Sequence, residues 1–310
     1  MLFVGEIAGF SVACFRAMSG IMFSDAGTRI GSFYVNKIRL VIATVLFALS
    51  MLIINGTLLT AGLNSQHWMW LGISAFVGLV FGDACGFKAL VMIGPRLETL
   101  VRTSTPIITA IIAWFFLGEQ LRWHDIIGIA ITVSGIAWVV SERKIDFPSE
   151  SLHPSHPDSG SIFAGILFGL GSAFGQAAGL VLAKHAMTRC GTQVDPLSAA
   201  FLRMLMATAV IWTYSAIRGE ARTAVTAIKE DRGALRLILW GSLFAPFLGI
   251  WMSFVAVRHV EAGIAETLGS MTPVVILPLL WKFKKEEISW RAVAGAVVAV
   301  GGVAAIFLIP

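Results

Sequence analysis

Ten stretches of about twenty apolar residues follow one another along the chain, at 2–23, 34–54, 68–88, 97–117, 124–141, 162–183, 197–217, 235–256, 262–281 and 289–309. At about 1.5 Å of rise per residue, each can cross roughly 30 Å of hydrocarbon as a helix. Lipid offers no partner to a backbone N–H or C=O, so such a span has to be helical and an open sheet cannot cross. The expected fold is an all-α integral membrane protein with ten transmembrane helices. Composition agrees, since 57% of the 310 residues are hydrophobic and 13% are charged, too little charge to clothe a water-facing surface of that size. The first stretch reads as a permanent helix, because Glu6 and Arg16 interrupt it and it lacks the basic region of a cleaved leader.

The net charge of +5 is spread over the joints between spans and forms no basic stripe, so nucleic acid is not expected as a partner. Membrane lipid and a small-molecule solute are. Cys14, Cys85 and Cys190 are odd in number and far apart, which gives neither a disulfide framework nor a metal spacing. His153 and His156 each precede a proline in a polar stretch and read as solvated. No metal-protease, nucleotide-binding or nucleophile-elbow motif is present, so no enzyme activity, cofactor or metal is expected. Without an ATP-binding loop, uphill movement of a solute has to draw on an ion gradient.

The two halves of the chain repeat each other. Shifting by 167 positions sets Gly82 on Gly249, Thr105-Pro106 on Thr272-Pro273, Trp114 on Trp281, Glu119 on Glu286, Trp123 on Trp290, Gly128 on Gly295 and Gly135 on Gly302. The earlier spans match at smaller shifts. Gly5, Gly9, Ala13 and Ala17 fall on Gly165, Gly169, Ala173 and Ala177, and Arg39, Ala43 and Thr44 fall on Arg203, Ala207 and Thr208. Residues 1–141 are thus one five-helix unit and 161–310 its copy, joined by a linker at 142–160 rich in proline, serine and charge. Five is odd, so the second copy enters the membrane from the opposite side, which makes inverted repeats about a pseudo-two-fold axis in the membrane plane. Two such units have two near-equivalent packings, and exchanging them opens a shared cavity first to one side and then to the other.

These residues resemble the EamA family of the drug/metabolite transporter (DMT) superfamily over nearly the whole chain. The recurring pieces are Arg39/Ala43 and Arg203/Ala207 opening the second helix of each unit, and Thr105-Pro106 and Thr272-Pro273 within the fourth. Leu117-Gly118-Glu119 forms the turn before a glycine-rich fifth helix; the second copy departs there, with Lys284-Lys285-Glu286. The resemblance implies a ten-helix bundle with a central cavity, resident in the cell membrane, that exports or imports amino acids, related metabolites or drugs, often with protons. Export is the expected direction. An uncoupled facilitator and a non-transporting membrane subunit remain open, as do substrate and oligomeric state, a monomer included.

A charge at mid-membrane costs about 2.5–3.5 kcal/mol on insertion scales, so each one retained there calls for a reason. Glu98 and Arg102 are one helical turn apart and can pair on one face. Pro106 and Pro273 lack the N–H that would bond the carbonyls of Arg102 and Gly269, which predicts a kink and a freed carbonyl at matching depth in the two units. Glu266 has no basic residue three or four positions away, and an unpaired carboxylate there suits a coupling proton; Asp83 is the second coupling candidate. Arg16 and its repeat equivalent Gln176 are candidate cavity residues with Glu98, Arg102 and Trp251. Arg39 and Arg203, near span ends, read as snorkelling to headgroups. Gly78, Gly82 and Gly86, with Gly171, Gly175 and Gly179, form two small-residue stripes for close helix packing.

Orientation is contested. The joints on the side of the termini carry Arg122, Lys184, Arg189 and Arg258, whereas those on the opposite side carry many more basic residues, Arg29, Lys37, Lys88, Arg96, Arg218, Arg222 and Lys229 among them. The positive-inside rule places both termini outside; the resemblance implies termini inside.

Overall fold

A computed structural model describes residues 3–58, 63–142, 162–220, 226, 231–284 and 289–308. The described residues are helical throughout, joined by short turns. The first half contains α1 (Val4–Ile30), α2 (Ser32–Asn55), α3 (Ser65–Ala75), α4 (Asp83–Arg102), α5 (Thr105–Leu117) and α6 (Trp123–Glu142). The second contains α7 (Ile162–Arg189), α8 (Pro196–Ile217), α9 (Arg232–Ser242), α10 (Ile250–His259), α11 (Ala262–Gly269), α12 (Thr272–Lys284) and α13 (Trp290–Leu308). Eight helical stretches are long and apolar enough to cross a membrane, and Ala262–Pro278 and Trp290–Ile306 are shorter apolar helices. The linker, with His153 and His156, and the Lys285-Glu286 turn lie outside the described residues.

Where the backbone departs from a plain α-helix, it does so at equivalent places in the two halves. A π-helical segment at Phe76–Gly82 joins α3 to α4, and another at Leu243–Gly249 joins α9 to α10, 167 positions later. Pro246 lies inside the second and cannot donate its share of the α-ladder. The first has no proline, and nothing in its sequence accounts for it. The fourth span breaks between Arg102 and Thr105, and the ninth between Gly269 and Thr272. Pro106 and Pro273 stand at the start of α5 and α12, where a missing N–H costs nothing, so each proline opens a new half-helix and does not bend a continuous one. The interruption expected at Pro106 and Pro273 thus takes the form of a break between two half-helices, whereas Pro246 and Pro278 lie inside helical segments. Gly94, at φ 76°, takes the left-handed turn that separates the third span from the fourth.

Helices of one half pack against helices of the other, antiparallel. On α2 and α8 the hydroxyls of Thr44 and Thr208, equivalent residues, lie 2.8 Å apart. On either side of that contact, Met51 meets Ser198, and the Lys37 carbonyl accepts from Trp212 Nε1 at 3.3 Å. On α6 and α13, Gly128 faces Gly302 and Gly135 faces Gly295, again equivalent residues exchanged. These glycines are where backbone meets backbone: a Cβ on Gly135 would stand 2.4 Å from the Ala299 nitrogen. The two glycine stripes of the third and sixth spans also face each other, Gly82 against Gly175 and Gly78 against Gly179. Correspondingly, α1 runs against α9 and α10, with Phe15 stacked on Phe244 and Phe23 over Gly241.

The largest part of the core occupies the half of the bundle next to the termini. Phe47, Met51, Leu71, Met187, Leu197, Leu202, Phe254 and Val257 are buried there, with small alanines between them. Asn64 caps α3 in that region, its side chain accepting from His67 N at 3.0 Å while His67 Nδ1 accepts from Asn64 N at 3.1 Å. The same end carries an ion pair: Lys184 Nζ lies 2.6 Å from Glu119 Oε1 and donates to the Val260 carbonyl at 2.6 Å. Glu119 Oε2 in turn accepts from Ala262 N at 2.8 Å. Four segments from both halves are thereby tied together at one mouth of the bundle.

Candidate functional site

The opposite half of the bundle is hollow. A cavity of about 360 Å³ lies between the two units, small-metabolite size on the scale of ligand pockets. Its walls come from the later part of α1, the earlier part of α2, the region from Leu79 to Leu90, and Glu98 and Arg102 in α4. Those are the halves of the spans nearest the turns at Gly31 and Gly94. The floor, toward the packed half, is Gln176 and Leu180 of α7, Arg203 and Met204 of α8, Ala245, Pro246 and Gly249 of the second π segment, Ile250, Ser253 and Phe254 of α10, and Glu266 of α11.

Seven ionisable side chains meet here. Arg39 Nη2 lies 3.1 Å from Asp83 Oδ2, and Gln176 Nε2 donates to Asp83 Oδ1 at 2.9 Å. Arg16 Nη1 lies 3.5 Å from Glu266 Oε1. Arg102 Nη1 lies 3.5 Å from Glu98 Oε1, one turn along the same helix. The carboxylates are more deeply set than their partners: the side chains of Glu266 and Glu98 are each 10% exposed, against 37% for Arg16 and 42% for Arg102. Arg203, the seventh, is 4% exposed, and its Nε has no hydrogen-bond partner. It reaches between Gly78 and Gly179, with its guanidinium carbon 5.5 Å from the Phe254 ring centre.

The two Thr-Pro breaks end at this cavity. Each threonine hydroxyl takes the carbonyl that the proline releases: Thr105 Oγ1 donates to Arg102 O at 2.7 Å and Thr272 Oγ1 to Gly269 O at 3.2 Å. The Gly269 carbonyl also accepts from Arg16 Nη1 at 3.4 Å. The freed carbonyls are therefore capped, and one of them fixes a cavity arginine. Thr-Pro works as a unit here, the proline ending one half-helix and the threonine satisfying its last turn.

The structure brings Arg16, Gln176, Glu98, Arg102, Glu266 and Asp83 to one cavity, and three readings of the sequence need correction. Glu266 is not unpaired, because Arg16, far away in sequence, faces it across the unit boundary. Arg39 and Arg203 do not snorkel; both turn inward and line the cavity. Trp251 is absent from the lining and packs instead beside Phe247 in the core. Pro106 and Pro273 sit beside the cavity as helix starts. The Lys184–Glu119 tie was missed, since a lysine near a span end reads as a headgroup contact. Its one available signal was that Glu119 recurs as Glu286. Among the described residues no group of histidine, cysteine, aspartate and glutamate could hold a metal ion.

Comparison with known proteins gives a family and a fold. A family model described as the EamA-like transporter family matches the chain twice, over residues 3–141 and 163–308. A solved structure titled only "Crystal structure of protein" superposes with a TM-score of 0.73 over 99% of both chains at 17% identity, a likeness of fold alone. No curated protein matches the chain.

Proposed function

Since this chain belongs to the EamA-like transporter family, we propose that it is a secondary transporter that carries a small organic metabolite, such as an amino acid, a related compound or a drug, across a cell membrane by alternating access. Ten spans form two inverted five-helix repeats, 1–141 and 161–310, with 142–160 as the linker. The observation that carries the proposal is the convergence of seven ionisable side chains from both units on one cavity that is hollow toward one face and closed toward the other. Such a set is costly to keep in a membrane, and a solute path accounts for it. Broken helices and π turns recur at equivalent depths, which supports two interchangeable packings of the units. The hollow face adjoins the joints richer in basic residues, which the positive-inside rule assigns to the cytoplasm, and loading from there fits export.

Coupling to a proton is the second part of the proposal, with Glu266 as carrier. It makes a single ionic contact at 3.5 Å, whereas Asp83 is held by Arg39 and Gln176 at 3.1 and 2.9 Å. Protonation of Glu266 would release Arg16 from its ion pair and leave it on the Gly269 carbonyl. An uncoupled facilitator is the competing reading, favoured by the fact that each of the three cavity carboxylates already faces an arginine. Proteoliposomes with an imposed pH gradient decide between them, using labelled amino acids and small carboxylates as solutes. Coupling predicts accumulation that Glu266→Gln abolishes while exchange at equal pH survives. If neither Glu266→Gln nor Asp83→Asn changes pH-driven accumulation, the coupling assignment fails.

A further inference from the structure

The cavity walls carry four arginines, Arg16, Arg39, Arg102 and Arg203, against three carboxylates, Asp83, Glu98 and Glu266. Three one-to-one pairs leave a single positive charge, on Arg203. Among the described residues this guanidinium forms no ion pair, and its Nε is buried without a hydrogen-bond partner. The repeat explains the vacancy. Arg39 and Arg203 are equivalent, and Arg39 pairs with Asp83; the residue equivalent to Asp83, 167 positions on, is Ile250. Ile250 lines the same cavity. One half of the molecule thus supplies its arginine with a carboxylate, and the other half has isoleucine at the corresponding place.

A buried guanidinium with no ion pair is a costly group to hold in a membrane interior, and its natural complement is a planar carboxylate. Resting on the transporter reading, we infer that the solute is a small monocarboxylate whose anionic head binds Arg203 in place of the missing side chain. One surplus charge suits one carboxylate; a phosphate ester, at about −1.5 to −2, would leave the cavity negative. Leu79, Leu180, Met204 and Phe254 also line the cavity, with the Phe254 ring beside the guanidinium, so an apolar body on the solute has surface to bury there.

The test is ligand-induced stabilisation of the detergent-purified full chain. Benzoate and hexanoate serve as probes, with benzamide, benzylamine and phenyl phosphate as neutral, cationic and over-charged counterparts. The two carboxylates are expected to raise the apparent Tm saturably, phenyl phosphate less, and benzamide and benzylamine not at all. Arg203→Gln should weaken carboxylate binding by about tenfold to a hundredfold, as loss of a hydrogen bond to a charged group does. Ile250→Asp supplies the missing partner from the protein and should abolish the response while leaving Arg203 in place. Equal stabilisation by benzamide, no shift with either carboxylate, or an undiminished response in Ile250→Asp would overturn the inference. Proteoliposome exchange separates its failure from that of the function proposed above. A chain that exchanges a labelled neutral or cationic solute but ignores benzoate refutes the carboxylate assignment alone. A chain that binds benzoate yet exchanges no solute refutes transport and keeps the site.

Discussion

Replacing Gly78 by alanine tests where the Arg203 head group has to stand. A Cβ at that position would lie 2.4 Å from Arg203 Nη2, but 3.4 Å from Gly179 Cα and 3.5 Å from Gly175 O. Non-bonded heavy atoms settle at about 3.5 Å, so the guanidinium has to retreat by roughly 1 Å while the helix backbones keep their places. The far end of an arginine can give way, so the loss of stability should be small. Gly179→Ala is the contrasting variant. Its Cβ would also meet Arg203 Nη2, at 2.9 Å, but in addition it would lie 2.8 Å from Gly78 Cα and 3.1 Å from Gly78 N, both backbone atoms, so α7 and the facing π segment have to part. Overpacking of that kind costs about 1–3 kcal/mol. A hydrogen bond weakens steeply once it is stretched, and losing one to a charged group is worth about 1.5–3 kcal/mol, or ten- to a hundredfold in affinity. Apparent Tm without ligand, and benzoate affinity from the ligand-dependent shift, read the two effects separately. Gly78→Ala should melt near the unmodified chain and bind benzoate ten- to a hundredfold more weakly on that account, whereas Gly179→Ala should melt lower before any ligand is added. Unchanged benzoate affinity in Gly78→Ala, or equal loss of stability in the two variants, would refute the reasoning.

Three further outcomes follow from other parts of the molecule. Lys184→Met removes both the Glu119 contact and the Val260 carbonyl contact, so the packed end should open more often; maleimide labelling of a cysteine placed at buried Val194, in a chain cleared of its own cysteines, should then quicken. At the α6–α13 crossing, Gly135→Ala should destabilise by about 1–3 kcal/mol, whereas Gly301→Ala, with nothing within 4 Å of its Cβ, should be neutral or mildly favourable in a thermal-unfolding comparison. A reporter fused to the carboxyl terminus should be active only outside the cytoplasm, as the charge distribution requires, and a cytoplasmic signal would reverse the assigned orientation.

The bundle was legible in the sequence because lipid leaves so little choice: apolar length decides helix, and an odd number of helices per repeat decides antiparallel pairing. The repeat shifts made Gly128 and Gly295, Gly135 and Gly302, and Thr44 and Thr208 legible as equivalent residues; that they meet across the two halves is what the structure adds. The cavity residues could be gathered only in part. A single sequence shows partners one turn apart, as with Glu98 and Arg102, but gives no account of who faces whom across helices. Glu266 therefore looked unpaired and Arg203 looked peripheral. Arg203 is only the eighth residue of α8, near the end where snorkelling is the usual fate of an arginine. What turns it inward is the notch left by Gly78 and Gly179, one glycine from each half. Trp251 failed for the opposite reason: depth in the membrane was readable, but which side of the helix faces the cavity was not.

The two halves of this molecule share a backbone and differ in charge, and the transport proposed above needs both properties. Shifts that superpose π segment on π segment and Thr-Pro on Thr-Pro carry Asp83 to Ile250, Glu98 to Ala265, Arg102 to Gly269 and Glu266 to Thr99; Arg16 meets Gln176. Of the seven cavity ions only Arg39 and Arg203 are matched. A symmetric backbone makes the outward-open and inward-open packings similar in their helix contacts, so the barrier between them need not involve wholesale repacking. Were the charges symmetric too, both states would present the same electrostatic surface, and neither a solute nor a proton could bias one over the other. A ligand shifts an equilibrium only by its differential affinity for the two states. Because Arg16–Glu266 spans the two halves while Arg102–Glu98 lies within one, rocking one unit against the other has to strain the first pair and can leave the second intact. Under the proposed alternating access, the cross-unit pair, and Arg203 without an ion partner in the same cavity, are thus the places where binding energy can be turned into a change of access.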